Sequence, residues 1–182
     1  MNKLVKRVFF VTLLILLLIP GSAFAYMGTG SWPTKTIPYK ISSDVPSSHV
    51  TPINTAASNW QANSILHVPM DNTNYKIIAY VYSYGYTGWD GQAFINPGWD
   101  SVFTSGNIQL NYTYTNSYST NQINVLAAHE LGHEFSLDHV GVNTSLMYTS
   151  ATEAYANNPS LANGPDQANI DRIYNRYAVK PY

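Results

Sequence analysis

The 182-residue chain contains no cysteine. Disulfides, thiol catalysis and cysteine metal ligands are therefore excluded. Charge is also scarce, with nine Lys/Arg and ten Asp/Glu in all. Three of the nine, Lys3, Lys6 and Arg7, sit in the first seven residues, which leaves six for the rest of the chain. Those six form no basic cluster, so nucleic acid is not an expected partner. The chain has one long apolar run, Val8 to Ile19, ended by Pro20-Gly21. Spanning a bilayer takes about 20 apolar residues, which makes this run too short for a membrane anchor. There is no internal repeat and no long linker.

The apolar run has another reading. Basic residues precede it, and the small residues Ala23 and Ala25 flank Phe24 after it. That is the order of a secretory signal: a basic start, an apolar stretch and an A-x-A cleavage site. Cleavage is expected after Ala25. Residues 1–25 are then the signal peptide, and 26–182 form one secreted, extracellular domain with no stable membrane association. A domain of that length can bury a sufficient core without disulfides. Tyr, Asn, Ser and Thr are abundant, which suits an extracellular surface and specifies no activity.

Hydrophobic patterning predicts a mixed order of elements. Thr36 to Ile41 reads as an early strand. Ser47 to Ala62 reads as a helix, with Val50, Ile53, Ala57 and Trp60 at helical spacing and Pro52 assigned to its first turn. Ile65–Val68, Tyr75–Tyr82, Gln92–Ile95 and Ile108–Tyr112 are strand candidates, the second being the densest in β-branched and aromatic residues. A helix capped by Thr120 or Asn121 carries His129 to Glu134. A last helix starts near Pro165, carries Ile170, Ile173 and Tyr174 on one face, and ends near Tyr177. Strands followed by segregated helices indicate an α+β domain that closes with a C-terminal helix.

The chemistry concentrates in HELGHEFSLDH, residues 129–139. On a helix, positions four apart share one face, so His129 and His133 can reach one metal ion with Glu130 beside them. A zinc ion on three protein ligands keeps one position open for water, which it acidifies. Glu130 is placed to take a proton from that water and pass it to a leaving amine. The five-residue motif alone is only moderately specific. His139 follows six residues after His133, where a continuous helix would turn it away. The chain must bend between them, and Ser136 sits where a positive φ is needed. A glycine adopts that conformation freely, whereas Ser pays about 1 kcal/mol.

These residues resemble the metzincin metalloproteases, and within them the matrixins, whose motif is HExxHxxGxxH followed by a Met-turn. Ser-Leu-Met-Tyr, Ser145 to Tyr148, follows His139, and Met147 matches the Met-turn residue. The resemblance implies that Met147 forms an apolar floor under the zinc and does not ligate it. It extends to the early strand, the helix with Trp60 and the ending GPDQANIDRIYNRY, and so covers nearly the whole chain after the signal. It implies a zincin-like fold, one catalytic zinc on His129, His133 and His139, and a protein or peptide substrate. A monomer is expected. Three departures stand out. There is no cysteine to cap the zinc and little room for a propeptide. His49 and His67 match no second, structural zinc site, leaving calcium through Asp90 or Asp100 as the remaining thought for a further ion. Thr149 stands where matrixins often have Pro.

Two other functions compete. In one, a zincin takes Glu153 as its third ligand, twenty residues after His133; the bend and the Met-turn then go unexplained. In the other, the protein is a secreted zinc-binding interaction module without catalysis. Glu130 argues against that, because a structural site needs a closed fourth position rather than a base. Asp138 is read as a capping or supporting carboxylate, and Glu134 as facing solvent or a neighbouring side chain. Tyr112, Tyr114 and Tyr118 are read as packing in a strand.

Overall fold

The structure is a computed structural model that describes residues 29–178. The signal segment lies outside the described residues. Among those residues no helix is long and apolar enough to cross a membrane. The described residues form an α+β fold with one four-stranded sheet.

Strand β1 (Tyr39–Ile41) leads into helix α1 (Ser47–Asn63), which returns the chain to strand β2 (Ile77–Tyr82) parallel to β1. Strands β3 (Gly91–Asn96) and β4 (Ser105–Asn111) follow. The sheet order is β1-β2-β4-β3, with β4 parallel to β2 and β3 antiparallel to β4. This leaves β3 at an edge with one side unpaired. The register explains the core face. Ile77, Ala79 and Val81 of β2 stand beside Gly106, Ile108 and Leu110 of β4, and all six are buried. Their period of two directs one face of the sheet onto the helices.

After β4 come a short helix α2 (Tyr112–Thr115), the long helix α3 (Thr120–Glu134), helix α4 (Ala151–Asn157), a 3-10 turn over Pro159–Asn163, and helix α5 (Gln167–Tyr177). Helix α3 is buried along most of its length, between the sheet on one side and α1 on the other. Trp60 of α1 locks that contact. Its indole N–H donates to the Ala128 carbonyl at 2.8 Å, and its ring meets Phe135 edge-to-face at 5.5 Å. An aromatic pair of this kind adds about 0.5–1.5 kcal/mol beyond burial.

Several local expectations need correction. Pro52 lies inside α1 rather than in its first turn. Residues 65–68 form no strand; His67 makes only an isolated bridge to Thr36. The cap of α3 is Ser119, in a reciprocal capping box with Gln122, which satisfies two amides the helix would leave unpaired. Helix α5 is capped by Asp166 and buries Ile173 and Tyr177, while Tyr174 is exposed. Tyr112 and Tyr114 belong to α2, and Tyr118 follows it, so none of the three packs within a strand.

Candidate metal centre and cleft

Helix α3 presents His129, Glu130 and His133, all buried. It ends at Phe135, whose amide returns to the Leu131 carbonyl. Ser136 then adopts φ 71°, the only positive φ at a non-glycine residue among the described residues. Its hydroxyl donates to the Gly30 carbonyl at 2.6 Å, a buried hydrogen bond that offsets the cost of this conformation. The Leu137 amide closes the turn on the Gly132 carbonyl at 3.0 Å. The chain is thereby reversed, and His139 returns to face the helix.

The three imidazoles meet through their Nε2 atoms. His129 and His133 are 3.1 Å apart there, and His139 lies 3.2 Å from each. Their other nitrogens explain the arrangement. His129 Nδ1 donates to the Leu146 carbonyl at 2.7 Å, and His133 Nδ1 donates to the Leu137 carbonyl at 2.8 Å. With the proton on Nδ1, a neutral imidazole turns a lone pair outward at Nε2. Burial, followed by the neighbouring histidines, lowers the pKa of His129 to about 3 and that of His133 to about 4, so both are neutral. Lone pairs facing each other at this range repel unless a cation stands among them. Tetrahedral coordination with zinc–nitrogen bonds of about 2.0–2.1 Å puts ligand nitrogens about 3.3 Å apart. The donor set therefore fits one such ion, and it is the only group of three or more candidate ligands among the described residues.

Met147 is fully buried on the Met-turn, whose amide–carbonyl contact from Val140 to Met147 is 2.8 Å. A methyl group at Gly132 would collide with Met147 Sδ, so the glycine in HELGH admits the Met-turn beneath the helix. Asp166 supports this floor from the cap of α5. Its Oδ2 accepts from the Leu146 amide at 2.8 Å and from the Ser145 hydroxyl at 2.9 Å. Since Leu146 in turn orients His129, Asp166 acts on the ligand through one intervening residue. The sequence reading missed Asp166; the available signal was a Pro-Asp pair opening a helix, which marks only a cap. Asp138 accepts from the His139 amide at 2.7 Å, and Arg172 donates to the Asp138 carbonyl at 3.1 Å.

The other candidates lie elsewhere. Glu153 is exposed in the first turn of α4 and does not join the imidazoles. His49 is buried, with Ser48 and Thr115 as partners, and His67 is exposed. Asp90 accepts from the Tyr118 hydroxyl, and Asp100 accepts from Thr29. Glu134, read as facing solvent or a neighbouring side chain, is instead fully buried against the backbone at Gly106 of β4. Trp32 reaches over there to donate to the Glu134 carbonyl at 2.7 Å.

A cavity of about 650 Å³ opens over the three histidines. Edge strand β3 borders it with Gly91, Gln92 and Ala93; Leu126 and Thr149 lie at its other side. Trp99 stands edge-on to His133, with centroids 5.9 Å apart. Burial, then the charges of Asp90 and Glu134, holds the Glu130 carboxyl well above its usual range.

Comparison with protein families gives one finding. The family model described as matrixin matches residues 31–175, which takes in every strand and helix α1 to α4, with nearly all of α5. No curated protein matches the chain.

Proposed function

Because the chain belongs to the matrixin family, which supports a zinc metalloprotease, we propose that it is a secreted endopeptidase with a single catalytic zinc. The observation that carries this reading is the convergence of three Nε2 atoms beside a buried, raised Glu130 at the base of an open cleft. In this proposal His129, His133 and His139 hold the ion. When bound, zinc supplies a Lewis acid that acidifies water and polarises the scissile carbonyl.

The chain's own residues do the rest. Leu146 and Leu137 orient the first two imidazoles through their carbonyls, which keeps Nε2 free to ligate. Met147 closes the floor and keeps water out from below. An extended peptide lies along the free edge of β3, whose unpaired amides and carbonyls accept it by strand addition. Glu130 takes up the proton of the attacking water on a carboxyl oxygen and delivers it to the nitrogen of the departing amine. Its position in the cavity lining beside the three imidazoles suits both halves of that task. Export through residues 1–25 and action as a monomer on extracellular protein are part of the same proposal.

The experiment is a peptidase assay on the purified protein after zinc titration, with elemental analysis. One zinc per molecule is expected, with activity abolished by a chelator and restored by zinc. Peptide hydrolysis that persists in a metal-free protein would overturn the proposal, as would a zinc-loaded protein that cleaves nothing.

A further inference from the structure

Asp90 is half-buried and lines the cavity immediately before β3. Two contacts fix it. Its carbonyl accepts from the Asn111 amide at 2.8 Å, and its Oδ2 accepts from the Tyr118 hydroxyl at 2.9 Å. Oδ1 takes no hydrogen bond among the described residues. The next residue, Gly91, approaches Glu130 Oε1 so closely that a side chain there would strike it. Asp90 therefore stands one residue from the strand position that touches Glu130. The cavity has three carboxyl-bearing residues in its lining, Asp90, Glu130 and Asp138, and no Lys or Arg. Glu130 has its chemical task, and Asp138 is engaged by the His139 amide. Asp90 is left with one carboxylate oxygen free of hydrogen bonds and no Lys or Arg beside it in the cavity lining.

We infer that Asp90 is a specificity-determining residue that receives a cationic side chain, arginine or lysine, of the substrate next to the scissile bond. The inference rests on the endopeptidase reading above. A carboxylate in a partly enclosed site that no Lys or Arg lines favours a ligand that brings a cationic donor, because charge-assisted hydrogen bonds are about twice as strong as neutral ones. Tyr118 holds the carboxylate in one orientation, so little freedom is lost on binding.

The test has a binding arm and a cleavage arm. Fluorescent peptides carrying arginine, or its neutral isostere citrulline, at each position flanking the cleavage site are bound to the zinc-loaded Glu130→Gln protein. The same peptides are offered to the wild type for hydrolysis. Arginine is expected to be favoured about tenfold in both arms. The ratio should fall towards one in Asp90→Asn, which keeps an acceptor for Tyr118 but loses the charge. It should persist in Tyr118→Phe, which keeps the charge. Equal treatment of arginine and citrulline in the wild type overturns the inference, as does a preference that survives Asp90→Asn. Absence of hydrolysis with an Asp90-dependent preference in binding would instead sink the endopeptidase reading and leave the cationic subsite standing.

Discussion

Glu130 and Glu134 lie one turn apart on the same helix, and both are buried, at 3% and 0% exposure. Burial is the largest cause holding each carboxyl well above its usual range. Their surroundings differ. Glu130 lines an open cavity beside three imidazoles and Asp90. Glu134 packs against Gly106 under the β3–β4 ladder, and neither of its oxygens has a hydrogen bond of good geometry. The nearby Asn107 and Phe94 amides offset its desolvation only in part. Two identical side chains on one helix thus have one perturbed property in common and two different consequences. A raised pKa marks a functional group only where solvent or substrate can reach it; elsewhere it is a cost to stability.

The largest effect that can break this comparison is on catalysis. Glu130→Gln should retain zinc and fold and lose about 10²–10⁴-fold in kcat/KM, the typical contribution of a general acid–base group. Steady-state assays on the zinc-loaded variant check this, and turnover close to wild type would remove Glu130 from its role.

The metal side of the cleft comes next. His139→Ala leaves two imidazoles for the ion, so zinc should be lost on dialysis. Apparent thermal stability should fall with it, because a ligand bound only to the native state stabilises by mass action. Glu153→Ala should keep zinc and change stability by no more than about 0.5 kcal/mol, as surface substitutions usually do. Zinc retained in the first variant and lost in the second would transfer the ligand role to Glu153.

The smallest effect sharpens the other half of the comparison. A carboxyl whose folded pKa is raised holds its proton more tightly in the folded state. Its folded form is favoured at low pH, and a penalty accumulates as pH rises past the unfolded value of about 4.3 towards the folded one. Glu134→Met removes that titration at similar volume. The variant should be more stable than the wild type at pH 7, by about 1–4 kcal/mol, and the difference should shrink as pH falls towards 4. Denaturation curves of the two zinc-loaded proteins across that range give the answer. A difference independent of pH would show that Glu134 has the same pKa in the folded and unfolded protein.

Much of the fold could be read from local pattern. Ile77 to Tyr82 announces a strand because β-branched and aromatic residues alternate there, and α1 follows from the spacing of Ile53, Ala57 and Trp60. Helix α4 and the 3-10 turn escaped notice, since Ala151 to Asn163 is short, polar and rich in Asn, with few apolar positions to reveal a period. The strand expected at 65–68 failed because bridges to residues on either side replace a ladder. In the candidate site, the spacing of His129, His133 and His139 was visible because four-residue intervals on a helix are local geometry. Asp166 and Asp90 were not visible as parts of the cleft. Each joins it across a long separation in sequence, through Leu146 in one case and Tyr118 in the other.

The sequence by itself determined that HELGHEFSLDH carries three imidazoles able to meet, that the chain bends at Ser136 and that Met147 follows close behind, because each depends on residue type and short-range spacing. Only the tertiary structure decided where the carboxyls lie. Glu130 and Glu134 share the face of α3 that meets the sheet, at Gly91 and Gly106 respectively, and only packing shows that the first of them also reaches the cavity. Local pattern could not place Asp90 beside the reacting centre, because that position is set by the antiparallel pairing of β3 with β4 and by the packing of α3 beneath them. Long-range pairing and packing, not local propensity, assign the charge of this cleft.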